Sequence, residues 1–136
     1  MTQAEVEAFI EGLEDVQRAE AFGYTLFFVG DDRRLPFVTI ADSDQEFDNV
    51  SNLDRDGVFR INIGVSKATF TTLLGDPGSE NVDHRVLDRF LPHPHYSKQN
   101  WVCILNPGRQ NTEPVKELIA EAHAIATARM RRQKDR

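Results

Sequence analysis

Residues 58–63 constrain the fold most, because their side chains alternate strictly between two faces of an extended chain. Phe59 and Ile61 fall on one face, whereas Arg60 and Asn62 fall on the other. A period of two residues is typical of a β-strand that packs one face on a core. The segment therefore predicts a sheet strand whose polar face presents Arg60 and Asn62 side by side, to solvent or to a ligand.

Four further segments extend this sheet. Residues 16–20, 24–29, 37–41 and 101–105 are short runs rich in aromatic and β-branched residues. The polar turn between the second and third runs predicts a hairpin, and a hairpin makes the neighbouring strands antiparallel. The sequence thus predicts an antiparallel sheet.

Helices are predicted where apolar residues recur at helical spacing. The first begins after Thr2, which has the spacing of a capping box with Glu5. A short second helix follows Ser66, and a long third helix follows Thr112. Residues 86–91 predict one or two helical turns before Pro92, and residues 76–80 predict a loop. The basic run at residues 129–136 is the tail of the last helix.

These elements predict one α+β domain over residues 1–136, with an antiparallel sheet of about four to five strands. An N-terminal helix, a short middle helix and a long C-terminal helix pack this sheet. No composition shift or repeat along the chain indicates a second domain.

Composition and charge exclude several classes of protein. The net charge of −6 disfavours binding to nucleic acid, and no apolar run approaches the length of a membrane span. The first residues lack the basic and then apolar pattern of a secretory signal, so we expect a cytoplasmic protein. The single cysteine, Cys103, predicts a buried thiol and cannot form an internal disulfide.

The stretch RFLPHPHYSKQNWVCILNPG, at residues 89–108, is the most unusual part of the chain. Pro92 and Pro94 restrict the residues before them to extended conformations and predict a stiff corner. His93 and His95 then project to the same side, as two metal ligands would. The favoured alternative is that these imidazoles form hydrogen bonds to the backbone within the corner.

Two other segments resemble known functional motifs but lack residues that those motifs need. Asp42, Asp44 and Glu46 imitate the start of a calcium loop, but Phe47 stands where that loop needs glycine. Ser66 lies between a strand and a helix, as a nucleophile would, yet a serine there is explained by helix capping.

Three pieces of the chain carry a family resemblance: NLDRxGVFRxNIG at 52–64, LPHPxY at 91–96 and WVxxLNP at 101–107. Together they resemble an uncharacterised bacterial family, the domain of unknown function DUF6194, which implies no activity. The final strand and helix are similar to the last part of YjbR-like, or MmcQ-like, proteins. That resemblance implies an antiparallel sheet packed by helices, and a shape likened to DNA-binding domains that the acidic charge argues against.

The leading hypothesis is a non-catalytic cytoplasmic domain that binds a small polar ligand or a protein partner and needs no cofactor. The alternatives are a metal-dependent enzyme that uses His93 and His95, and a DNA-binding protein that uses residues 129–136. A homodimer through a sheet edge or the last helix stays open. The residues predicted to bind a ligand are Arg55, Arg60, Asn62, His93, His95, Tyr96 and Trp101.

Overall fold

A six-stranded antiparallel sheet forms the centre of the protein. The structure, a computed structural model, describes residues 1–75 and 82–134. The strand order is β1-β2-β3-β4-β6-β5, and every neighbouring pair is antiparallel. The strands are β1 (Val16–Ala21), β2 (Tyr24–Val29), β3 (Val38–Ala41), β4 (Arg60–Gly64), β5 (Leu91–Pro92) and β6 (Trp101–Leu105).

Three α-helices accompany the sheet: α1 (Gln3–Glu11), α2 (Lys67–Leu74) and α3 (Thr112–Lys134). The predicted α+β class is therefore confirmed, as is the capping box of Thr2 and Glu5. The Ser66 hydroxyl accepts the Thr69 N–H at 3.1 Å and caps α2, as predicted.

All three helices contribute to the core on one face of the sheet. That face presents alternate strand residues, among them Phe27, Ile40, Ile61 and Ile104, and every one of them is buried. The helices add the buried side chains Val6, Ile10, Phe70, Val115, Ile119, Ala122, Ala126 and Met130. The prediction that the last helix lies on the sheet is confirmed.

The opposite face of the sheet is covered by a loop instead of a helix. Residues 42–57 cross this face, and Leu53 packs there with Ala41, Val58 and Leu105. The loop covers only part of the face, which leaves room for a cleft beside it.

Three details differ from the sequence-based expectation. The sheet has a sixth strand, because Leu91 pairs with Cys103 and Pro92 with Val102 at the sheet edge, where proline costs no ladder hydrogen bond. Residues 87–89 form bends, and no helical turn is present at 86–90. Thr112 does not cap α3, because its own backbone is helical and a 3₁₀ turn at Arg109–Asn111 precedes it.

The predicted loop at 76–80 and the end of the basic tail, residues 135–136, lie outside the described residues. Within the described helices, none is both long and apolar enough to cross a membrane.

Candidate binding site

A large cleft opens on the loop-covered side of the sheet. Its volume is about 1070 Å³, and it runs from the β1–β2 hairpin past the corner at residues 93–99 to one side of α3. Most of its wall is apolar. Its aromatic residues are Phe22, Tyr24, Phe37, Phe47, Tyr96 and Trp101.

Two phenylalanines stand almost fully exposed where the cleft opens. Phe22 is 89% exposed and Phe47 is 83% exposed. Phe22 occupies the two-residue turn of the β1–β2 hairpin with a φ of 56°, a conformation that bulky residues rarely adopt. Phe47 lies in a tight turn closed by backbone hydrogen bonds between Gln45 and Asp48. Large apolar side chains held in solvent beside a cleft are typical of a binding surface.

A buried ion pair lies beneath the cleft, and its carboxylate residue, Asp48, is part of the lining. Arg60 Nη1 donates to Asp48 Oδ1 at 3.0 Å, and Arg60 Nη2 donates to Asp48 Oδ2. The Tyr24 hydroxyl also donates to Asp48 Oδ2. Arg60 Nη1 also donates to Ser51 Oγ at 2.9 Å, and Arg60 Nε donates to Asn62 Oδ1 at 2.8 Å.

Arg60 and Asn62 are both 0% exposed, so the expectation that this strand face opens to solvent is wrong for these two side chains, and their predicted contact with a ligand stays a prediction. The physical reason is the loop at residues 42–57, which brings Asp48 and Ser51 over them. Asn62 completes the network by donating to Thr39 Oγ1 at 3.0 Å. These residues support the cleft from beneath.

The network fixes the charges of its members. Burial alone would raise the pKa of Asp48, but the hydrogen bonds from Arg60 and Tyr24 hold that pKa below its ordinary value. Burial likewise disfavours charged Arg60, yet Asp48 raises the Arg60 pKa. Burial and the bond to Asp48 raise the pKa of Tyr24. Arg60 is therefore a cation paired with the Asp48 anion, and the Tyr24 phenol beside them is neutral.

His93 organises the corner beside this ion pair. Its Nδ1 accepts the backbone N–H groups of His95 and Tyr96, both at 3.0 Å. Its own backbone N–H donates to the Trp101 carbonyl at 3.0 Å, which ties the corner to β6. The prediction that an imidazole of this corner bonds to the backbone is confirmed for His93.

The protonation state of His93 follows from these contacts. Burial and the nearby Arg60 charge lower the pKa of His93 to about 3, so the ring is neutral near pH 7. Because Nδ1 accepts two hydrogen bonds, the ring proton is on Nε2. His93 is only 6% exposed and lines the cleft.

The exposed His95 imidazole forms no hydrogen bond among the described residues, and two buried rings there also keep an N–H group without a partner: His93 Nε2–H and Trp101 Nε1–H. Thr127 Oγ1 is the one fully enclosed side-chain polar atom without a partner in that part of the chain, so neither ring nitrogen is sealed inside the protein. Both residues line the cleft, and their ring centroids are 6.3 Å apart. Two residues of the cleft wall, His93 and Trp101, thus each keep an unused ring N–H donor that is not sealed inside the protein.

Gly64 lets the indole of Trp101 lie close against β4. A Cβ atom at Gly64 would stand 3.0 Å from Trp101 Cε2, closer than ordinary van der Waals contact. The small residue therefore sets the position of the indole at the cleft wall.

The other predicted site residues divide between the cleft and elsewhere. His95 and Tyr96 line the cleft, and His95 Nε2 lies 3.9 Å from Asp48 Oδ1. Arg55 lies outside the cleft, where it donates to the carbonyls of Ser51, Asn52 and Arg85 and fixes the loop.

The described residues contain no group of three or more histidine, cysteine, aspartate or glutamate side chains placed to hold a metal ion. His93 Nδ1 is occupied by the backbone, so the pair of histidines offers only part of a ligand set. Cys103 is a free buried thiol, as predicted, and burial raises its pKa to about 12, which leaves it unreactive.

Sequence reasoning missed Phe22, Tyr24, Phe47 and Asp48. Asp48 is one of several acids in its loop, and no local pattern distinguishes the one that reaches Arg60. The sequence could have indicated Phe47 as a binding residue, because an aromatic residue inside an acidic, unperiodic loop has no local core to pack into.

Comparisons with known proteins place the chain within a family without showing what it does. No curated protein matches it. A crystal structure of a protein from Pseudomonas syringae, determined by the Northeast Structural Genomics Consortium, is similar in fold. It has a TM-score of 0.64 and 17% sequence identity, and the match covers 93% of this chain and 99% of that one. The family model of DUF6194, a family of unknown function, matches residues 1–135, and the chain belongs to that family.

Proposed function

We propose that this protein is a non-catalytic binding domain that holds a small organic molecule in the cleft. The observation that carries the proposal is the combination of apolar aromatic walls with two unused donors, on His93 and Trp101. Small-molecule sites are typically concave and mostly apolar, with a few polar groups that orient the ligand. A volume of about 1070 Å³ is at the upper end of the range for such sites.

Binding, and not catalysis, is the better account of these residues. Asp48 and Arg60 neutralise each other, Cys103 is buried as a thiol, and His93 has its basic nitrogen occupied. A general base needs a free lone pair within reach of the substrate, and these groups do not offer one. Of the other titratable residues that line the cleft, Glu46, His95 and Tyr96 are exposed to solvent.

The two alternative functions gain no supporting observation. A metal-dependent activity at His93 and His95 would need further ligands in the same place. DNA binding through residues 129–136 would work against the net charge of −6.

The proposal is tested by NMR titration with three uncharged aromatic probes: indole, 2-naphthol and quinoline. The chain has one tryptophan, so its indole N–H gives a single cross-peak that reports directly on the cleft. We expect at least one probe to shift this cross-peak in a saturable manner. Three probes without a saturable shift would contradict the proposal.

A matched pair of variants locates the binding. Phe47→Ala removes an aromatic side chain from the cleft and should weaken the bound probe by roughly 2- to 10-fold, the typical worth of one aromatic contact. Leu87→Ala removes an exposed apolar side chain that does not line the cleft and should leave affinity unchanged. Equal effects of both variants would place binding elsewhere.

A further inference from the structure

We infer that the cleft selects neutral aromatic molecules that carry a carbonyl-type hydrogen-bond acceptor, bound by His93 Nε2–H and Trp101 Nε1–H. This inference rests on the proposed function and names the class of ligand. It follows from the two free donors on the buried rings and from the ion pair already formed between Arg60 and Asp48.

The free polar atoms of His93 and Trp101 are donors. His93 Nδ1 is turned into the corner by the N–H groups of His95 and Tyr96, so only the Nε2–H side of this ring can meet a ligand. The indole nitrogen of Trp101 is a donor and never an acceptor. Two neighbouring N–H groups suit an oxygen acceptor, such as an amide, lactam or ketone carbonyl with its two lone pairs.

The charges near these donors oppose a charged ligand. A ligand carboxylate at His93 would lie close to Asp48, and Arg60 has already donated to Asp48, Ser51 and Asn62. A ligand ammonium group would face two N–H donors and has no lone pair to accept from them. Burying either charge without a free counter-ion is costly, whereas a neutral acceptor avoids that cost.

Two charged side chains, Glu46 and Arg129, also line the cleft, and among the described residues neither forms a hydrogen bond with His93 or Trp101. Glu46 is exposed to solvent, which screens it. Arg129 lies at the α3 end of the cleft and donates to the Leu35 carbonyl, at 3.5 Å. The apolar body of the ligand packs against the aromatic walls and the exposed rings of Phe22 and Phe47.

The test compares three probes with the same naphthalene body and different heads: 2-naphthamide, 2-naphthoate and 2-naphthylmethylammonium. Each is titrated into the full chain while the Trp101 indole cross-peak is followed. We expect 2-naphthamide to bind at least roughly 10-fold more tightly than either charged probe. Tighter or equal binding of a charged probe would overturn this inference and leave the proposed function standing; no binding of any probe would overturn both.

A variant of His93 separates its role as a donor from its role in the corner. In His93→Asn the side-chain oxygen still accepts the two backbone N–H groups, but the Nε2–H donor is lost. We expect 2-naphthamide to bind roughly 3- to 10-fold more weakly and 2-methylnaphthalene, which has no acceptor, to bind as before. Equal losses for both probes would show that the variant only disturbs the corner, and would contradict the donor role.

Discussion

At the scale of single residues, His93 has two roles on two ring nitrogens. Nδ1 holds the turn of the corner through two backbone N–H groups, and this contact fixes the tautomer that leaves Nε2–H for the cleft. A protonated ring would lose the acceptor that holds the turn. The structure of the corner and the neutrality of the ring therefore depend on each other.

This dependence predicts how stability varies with pH. The pKa of His93 is about 3 in the folded protein, against an ordinary value of 6.5. Between these values only the unfolded chain takes up the proton, so the free energy of unfolding should fall as the pH drops below 6.5, by up to roughly 1.4 kcal/mol per pH unit. Above pH 6.5 the contribution is fully present.

Urea unfolding at about pH 7.5, 6 and 5 measures this slope. The His93→Asn variant is the control, because it keeps an acceptor for the turn and lacks the titrating group. We expect the variant to lose the part of the slope that belongs to His93. Identical slopes for the two proteins would show that the folded ring does titrate normally.

The sequence predicted some residue contacts and missed others for a physical reason. Alternation in residues 58–63 placed Arg60 and Asn62 on one strand face, which is correct, because the period of a strand is a local property. Their burial depends on Asp48, which lies in a separate loop and is brought there only by the complete fold. Local patterns do not contain such long-range pairings.

At the scale of elements, α3 holds the start of α2 through Glu121. Glu121 Oε2 accepts the Ser66 N–H at 3.0 Å, and Oε1 accepts the Thr69 hydroxyl at 2.6 Å. A carboxylate at a helix N-terminus also interacts favourably with the helix dipole. One side chain of the last helix thus fixes the middle helix, a link that spacing along the sequence does not reveal.

We expect Glu121→Ala to lower the free energy of unfolding by about 1–2 kcal/mol, because it leaves these donors of α2 without their partner. Glu117→Ala, on an exposed position of the same helix, is the matched control and should change stability little. Chemical denaturation of both variants checks the difference. A Glu121→Ala protein as stable as Glu117→Ala would refute the capping role.

Most elements were predictable because their residues repeat with the period of a strand or a helix and end at turn residues. The exceptions share a cause. Residues 86–91 have helical spacing, but the last of them is taken into β5 by pairing with β6, so tertiary contacts override the local pattern. The two-residue strand is too short to leave a period of its own.

At the scale of the whole molecule, the two faces of the sheet have different roles. One face is packed by helices, whereas the other is partly covered by a loop and a corner, and the cleft beside them continues to one side of α3. The cleft joins parts of the chain far apart in sequence, from Phe22 to Arg129. Four of the seven predicted site residues meet there, namely His93, His95, Tyr96 and Trp101.

The central claim is that His93 uses Nδ1 for the fold and offers Nε2–H to the cleft. Nitrogen-15 NMR of the imidazole, recorded on the full chain from about pH 7.5 to pH 5, tests this claim most directly. The account predicts a neutral ring with its proton on Nε2 across this range. A ring that carries its proton on Nδ1, or that becomes an imidazolium before pH 5, would contradict it.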